Sequence, residues 1–277
     1  MTNDELIDIE IKLLMEGVYQ VYGYDFRDYA EASLRRRLTQ WLTGSRFQTF
    51  SLAQSLILRD RAFFDTLLRG ITVNVSEMFR DPPFFKAIRE QVIPYLKTYP
   101  FVKIWHAGCA TGEEVYSMAI LLMEEGFKGR FRIYATDINE EVIRKAQEGI
   151  YPLQEMQRFT RNYQFSGGKG SFSDYYTAKY DHAILTPSLR DNIVFAAHNL
   201  AADADFGEMN MILCRNVMIY FKQALKDRVL GLFDNSLVPG GFLCLGTKET
   251  LERRQIFSHY EELKPRIQIY RKHYEKK

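Results

Sequence analysis

The stretch WHAGCATGEEVYS, residues 105–117, decides the fold, because it joins a short β-like run to a helix through a turn of small residues that carries two glutamates. Residues 103–106 read as the end of a buried strand, Gly108 and Gly112 permit a tight turn with close backbone approach, and residues 115–123 have helical apolar spacing. Such a strand-to-helix turn occurs in most α/β proteins, so a purely structural connection is an equal reading of this stretch alone. A second strand, 132–136, ends in Asp137 and is followed by the helix-like NEEVIRKAQEG, residues 139–149. In a βαβ unit a carboxylate at that place lies beside the glycine turn and accepts hydrogen bonds from ribose hydroxyls. The competing reading is that Asp137 caps the helix beginning near Asn139.

The turn differs from a dinucleotide fingerprint. Glu113 and Glu114 stand where a pyrophosphate would need backbone donors and positive potential, and a carboxylate repels a phosphate. The pair suits a cofactor with ribose hydroxyls and a cationic centre, which describes S-adenosylmethionine.

Composition fits an ordinary globular enzyme: 277 residues, 46% hydrophobic, with a formal net charge of +2. That balance argues against a general nucleic-acid binder without excluding an RNA substrate, and no nucleic acid is expected as partner. The acidic start MTNDELIDIE lacks a signal-peptide core, and no apolar run approaches the roughly 20 residues of a membrane helix, so a cytoplasmic protein without membrane insertion is expected. Cys109, Cys214 and Cys244 lie far apart in apolar surroundings and read as small buried hydrophobes. None of the five histidines forms a metal-ligand pair, and no metal is expected.

Helical spacing at 6–18, 30–42, 47–58 and 61–68 predicts a small helical domain over 1–70, followed by a linker at 71–83. From 84 to 277 helices and strands alternate, beginning with a helix over 84–96 and with strands near Val102, Ile133, Val194, Ile212 and Leu243, which predicts a mostly parallel sheet. The last apolar run, 267–270, follows Pro265 with little room for a crossover helix and is expected as an antiparallel hairpin partner of an edge strand. Between about 159 and 190 the glycines and aromatic or β-branched residues of SGGKGSFSDYYTAKYDHAIL predict an inserted small sheet of short antiparallel strands, with a long surface loop as the alternative.

Taken in order, TVNVSEMFRDP (72–82), GCATGEEVYS (108–117), ATDI (135–138), AAHNL (196–200) and CRNVMIYF (214–221) resemble the CheR family of chemotaxis receptor glutamate methyltransferases over nearly the whole chain. CRNVMIYF is the most specific piece, since an Arg-Asn pair followed by a Tyr at the mouth of a strand is not a generic element of sheets. Ser76 and Met78 stand where the family more often has Thr and Phe, and the turn after the late strand reads GTKE, 246–249. The resemblance implies a class I S-adenosylmethionine-dependent methyltransferase sheet with an N-terminal all-helical domain and an inserted antiparallel β-subdomain. It places Asn74, Ser76, Arg80, Glu113 and Asp137 against the cofactor, Asn199 and Leu200 beside the adenine, and Arg215 and Asn216 near the methionine part. Asn199 offers amide donors and an acceptor, and Leu200 an apolar face. Taken singly, Asn199 is as readily a turn residue and Arg215 an ion-pair member.

The reaction implied is methyl transfer to a glutamate side-chain oxygen of a receptor, giving a methyl ester and S-adenosylhomocysteine. Arg80 and Tyr220 are the expected catalytic residues, Arg80 orienting the substrate carboxylate and the Tyr220 hydroxyl aligning the reacting groups. The alternative for Tyr220 is an aromatic core residue at a strand end. From 27 to 69 the basic residues are all arginine, including Arg35, Arg36 and Arg37 on one predicted helix, the expected substrate-recognition group. Consecutive arginines sweep about 200° of a helix, so at most two share a face, and a solvated surface is the rival reading. The partner implied is the cytoplasmic methylation helices of a membrane chemoreceptor, and in some family members the inserted sheet also captures a peptide at the receptor's C-terminus. Two other functions remain open: methylation of a different substrate, a small molecule or RNA, and a non-catalytic S-adenosylmethionine-binding signalling module.

Overall fold

The computed structural model describes residues 2–72, 76–205, 207–251, 258–264 and 266–273. Helix α1 (Asn3–Tyr22) opens on a capping box in which the Thr2 hydroxyl accepts from the Glu5 N–H and the Glu5 carboxylate accepts from the Thr2 N–H. It buries Ile11, Leu14, Met15 and Val18 and closes on left-handed Gly23. These caps, rather than apolar periodicity, set its limits, which is why it is longer at both ends than the 6–18 read from spacing. Helix α2 (Glu31–Thr43) buries Leu34 and Leu38, and α3 (Phe50–Arg59), capped by Thr49, buries Phe50, Ala53 and Ile57. Helix α4 (Arg61–Ile71), capped by Asp60, buries Phe64, Leu67, Leu68 and Ile71. Gly70 lets α4 approach α2 closely, since a Cβ there would stand 2.9 Å from Trp41 Cδ1.

Two compact units emerge from the packing: the N-terminal helices together with Asn199–Asp203 and Met218–Gly231, and the remainder of the chain. The remainder begins with α5 (Pro82–Ala87), a π-helical turn at Ile88–Val92 and α6 (Ile93–Leu96). The single helix expected at 84–96 is interrupted there, and Pro94 lacks the N–H that an unbroken α-helix would use. Alternation follows through β1 (Val102–Ala107), α7 (Glu113–Glu124), β2 (Phe131–Asp137), α8 (Glu140–Glu148), β3 (Ile150–Pro152), α9 (Met156–Phe165), β4 (Tyr176–Lys179) and β5 (His182–Leu185). It continues through β6 (Ile193–Ala197), β7 (Met209–Cys214), α10 (Gln223–Ser236), β8 (Leu237–Leu245), β9 (Tyr260–Lys264) and β10 (Ile269–Lys272).

Among the described residues seven strands form one sheet in the order β6-β2-β1-β7-β8-β10-β9, parallel from β6 to β8, with β10 antiparallel to both neighbours. The chain grows outward from β1 through β2 to β6 and then resumes at β7 on the other side of β1. The carboxyl ends of β1 and β7 therefore meet at a topological switch point, the place where α/β sheets bind ligands. The run expected to be antiparallel at the chain's end is β10, which pairs with β8 at Tyr270↔Leu243 and with β9 at Tyr270↔Glu262. Apolar pattern does not announce β9, whose sequence YEELK is polar because an edge strand leaves one side in water.

The insertion is a three-stranded antiparallel sheet in the order β3-β5-β4. It differs from the expectation of strands beginning near 159. Residues 159–165 lie in α9, because Met156, Phe159 and Tyr163 recur at helical spacing and bury one face, and the third strand is supplied upstream by β3. Glu124 at the end of α7 ties this insertion to the helix layer, accepting hydrogen bonds from the Tyr163 hydroxyl, the Tyr175 hydroxyl at 3.0 Å, the Lys169 N–H at 3.1 Å and the Arg89 guanidinium. Among the described residues no helix is long and apolar enough to cross a membrane.

Candidate cofactor site

Three turns meet at the carboxyl ends of β1, β2 and β7. After β1 the N–H groups of Gly108 and Cys109 both donate to the Thr136 carbonyl at 2.8 Å, which folds the turn back over β2. Gly108 and Gly112 have φ of 84° and 90°, and a Cβ on Gly108 would lie 2.4 Å from Val217 Cγ2. Glycine is thus required where the β1 turn packs on the β7 turn. Asp137 joins the first two turns: one carboxylate oxygen accepts from the Ala110 N–H and the other from the Asn139 N–H, each at 3.0 Å. The helix cap itself is Asn139, whose Oδ1 accepts from the Glu141 N–H at 2.9 Å. Burial raises the Asp137 carboxyl above its ordinary value, although backbone N–H groups of Asn139, Ala110 and Ile138 oppose it.

Glu113, the first residue of α7, is buried, and the Thr111 hydroxyl lies 2.8 Å from both of its carboxylate oxygens. Burial raises this carboxyl too. A desolvated carboxylate with few donors gains more from a ligand hydroxyl or cation than one already solvated by water.

The second glutamate of the pair does different work. Arg215, with its side chain 2% exposed, donates to Glu114 at 2.6 Å and to Asp81 at 2.6 Å, and its guanidinium stacks 4.0 Å from the Phe84 ring centroid. His106 Nδ1 lies 3.3 Å from the other Glu114 oxygen. Burial alone would raise the Glu114 carboxyl, but the Arg215 guanidinium and His106 overcome it and hold it down at about 2. Arg215 thereby fastens the β7 turn to the start of α7 and to the linker. Apolar pattern and motif single out Arg215 but not Asp81, which lies 134 positions from it in the chain and carries no local signal, nor the contact of His106 with Glu114.

A fourth turn, GTKE, carries a contact that its sequence does not announce. The Glu249 carboxylate of GTKE accepts from the N–H groups of Asn216 at 2.8 Å, Val217 at 2.9 Å and Gly246 at 2.7 Å. It holds Asn216 in the left-handed region, at φ 62°. Phe79, Asp81 and Ala110 share that conformation, with φ of 51°, 57° and 48°. Each such non-glycine residue costs on the order of 1 kcal/mol or more; Lys128, Tyr180, Arg266 and Gln268, away from these turns, share the conformation. Arg80, half-buried, lies between Phe79 and Asp81, and the Phe79 N–H is fixed at 2.8 Å on Ser117 Oγ.

Ser76 is half-buried in the linker, and Asn74 lies outside the described residues. Asn199, Leu200 and Tyr220 belong to the N-terminal compact unit. Asn199 forms a turn in which its Oδ1 accepts from the Ala201 N–H at 3.0 Å and its N–H donates to Asp203 at 2.7 Å, and Leu200 is buried. The three arginines of α2 diverge. Arg35 pairs with Asp4 at 2.7 Å and Asp8 at 3.4 Å, Arg36 is exposed, and Arg37 donates to the Ile71 carbonyl at 3.1 Å.

Residues 74–265 match the CheR methyltransferase SAM-binding domain, and residues 9–72 match the CheR methyltransferase all-alpha domain. The chain belongs to the CheR methyltransferase family. A protein of Pseudomonas putida, provisionally named methyltransferase Cher3, is 49% identical over 98% of this chain and 100% of its own length. The chemotaxis protein methyltransferase of Escherichia coli is 28% identical over 92% of this chain and 87% of its own. That of Listeria monocytogenes is 28% identical over 83% and 85%. The protein is therefore a methyltransferase of the CheR chemotaxis family, and its cofactor is S-adenosylmethionine. The residues present fit that cofactor, since the carboxylates of Glu113 and Asp137 at the turns suit a molecule with hydroxyls and a cation.

Proposed function

We propose that this protein methylates glutamate side chains on the cytoplasmic methylation helices of a membrane chemoreceptor, forming methyl esters and S-adenosylhomocysteine. The observation that carries the reading is Asp137, a half-buried carboxylate held by the two turns at the switch point, in a chain of the CheR family. Asp137 and Glu113 hold the cofactor, with Asn74, Ser76, Asn199 and Leu200 completing its contacts, and Arg215 and Asn216 shaping the turn at its methionine end. The cofactor supplies an electrophilic methyl group on a cationic sulfur.

The acceptor needs no general base, because a glutamate with a reference pKa of about 4.3 is already ionised near neutral pH. What remains for the protein is alignment and exclusion of water. Arg80, on a strained segment of the linker, orients the incoming carboxylate, and the Tyr220 hydroxyl aligns the reacting groups. The helical segment 1–70 presents the substrate helix through its arginines, and the β3-β5-β4 insertion is the place where a C-terminal receptor peptide could add as an edge strand. The test is to incubate the protein with labelled cofactor and receptor-bearing membranes of its own source. Label released by mild base as methanol is expected from a carboxyl methyl ester; base-stable label would overturn the glutamate assignment while leaving methyl transfer intact.

A further inference from the structure

Arg37 departs from its two neighbours. Its guanidinium carbon lies 4.6 Å from the centroid of the Tyr220 ring, and Nη1 donates to the Ile71 carbonyl at the end of α4. All three residues belong to one compact unit. The main chain around Tyr220 is fixed independently. The Ala30 N–H donates to the Tyr220 carbonyl at 2.8 Å, Tyr29 and Phe221 form an antiparallel bridge, and the Lys222 N–H donates to the Asp28 carbonyl at 2.8 Å. Lys222 Nζ adds contacts with the Arg27 carbonyl at 3.2 Å and with Glu31 at 3.0 Å.

A clamped main chain leaves the aromatic ring free to turn about its side-chain bonds. A cation on the ring face restricts that motion without competing for the hydroxyl at the ring edge. Arginine suits the task better than lysine, because its plane stacks on the ring while an N–H in that plane donates elsewhere. The Ile71 carbonyl fixes the guanidinium, and the guanidinium fixes the ring. A charge spent in this way is poorly placed to meet a substrate.

We propose that Arg37 is a positioning residue for Tyr220, holding the ring so that its hydroxyl is aimed, rather than one of the arginines that recognise the receptor. The proposal rests on the reading of Tyr220 as an aligning residue. It divides the Arg35-Arg36-Arg37 run by role: Arg35 ties α2 to α1, Arg36 faces solvent, and Arg37 acts on the chemistry through a second side chain.

The test is a double-mutant cycle on receptor methylation, with Arg37→Ala, Arg37→Lys, Tyr220→Phe and the Arg37→Ala/Tyr220→Phe pair. Arg37→Ala is expected to lower kcat by about tenfold, the scale of a partly buried cation–π contact, with the receptor KM and S-adenosylhomocysteine affinity within about twofold of wild type. Arg37→Lys keeps the charge and recovers part of the loss, which also covers the case in which the alanine variant folds poorly. In the Tyr220→Phe background the hydroxyl is gone, so removing Arg37 should cost little more. Additive losses, or a raised receptor KM with unchanged kcat, would return Arg37 to substrate recognition and overturn the proposal. Full activity of Tyr220→Phe alone would instead remove the reading of Tyr220 on which the proposal stands, an outcome visible without any change at Arg37.

Discussion

The paired glutamates of the β1 turn show how one residue type divides into two roles within one helical turn. Glu113 is buried with the Thr111 hydroxyl on its carboxylate, whereas Glu114 is neutralised by Arg215. Asp137 resembles Glu113 in being desolvated. Its replacement by Ala should weaken S-adenosylhomocysteine binding by about 1.5 to 3 kcal/mol, the scale of losing hydrogen bonds to a charged acceptor. Calorimetry on the folded variant decides this, and unchanged affinity would remove Asp137 as the ribose ligand. Glu114 makes a pH prediction. Its folded value of about 2 lies below the ordinary 4.5, so the stability it contributes is complete above about 4.5 and drains away as pH falls towards 2. Urea denaturation across that window should show wild type losing stability more steeply than Glu114→Gln. The variant starts lower at neutral pH, because Arg215 is left with a buried charge half-paired. Parallel curves would mean that Glu114 titrates alike in both states.

Among the elements, the turns after β1 and β7 are fitted to each other through Gly108 and Val217. Gly108→Ala combines left-handed strain with a Cβ placed 2.4 Å from Val217 Cγ2, and should cost about 2 to 4 kcal/mol of stability. Adding Val217→Ala should restore the overpacking part and leave the strain. Chemical denaturation of the single and double variants measures both, and an undisturbed Gly108→Ala would show that the two turns are not in contact. The central strands β1, β7 and β8 were legible because each carries adjacent apolar residues, Ile104–Trp105, Met211–Cys214 and Phe242–Leu245. Strand β9 and the helix at 156–165 were not. The first is polar, and the second keeps its period only over three apolar residues.

For the whole molecule, the units cross chain order: Met218–Gly231, which holds Tyr220, belongs to the compact unit of the N-terminal helices. Segments 1–70 and 84–277 read along the sequence do not contain that exchange, because a linear scan assigns each residue to its neighbours in sequence. Arg36 is the exposed member of the arginine run and is the one expected to steer an anionic receptor helix. Arg36→Ala should flatten the fall of receptor methylation rate with ionic strength over the range where the screening length passes about 10 Å, with S-adenosylhomocysteine affinity intact. A rate and salt dependence equal to wild type would make Arg36 part of a solvated face.

The sequence by itself determined the class of fold, the parallel strands of its sheet, the acid-bearing turn and the family, because these depend on residues near one another in the chain: a glycine turn between a strand and a helix, an aspartate ending the next strand, an Arg-Asn pair closing a third. Only the tertiary structure decided which partner each charged residue has. Asp81 and Glu114 on Arg215, Glu249 beneath Asn216 and Val217, and Arg37 over Tyr220 are pairs separated by tens to hundreds of positions. Side-chain charge and ring stacking act over a few ångströms, and folding alone brings such residues within that distance.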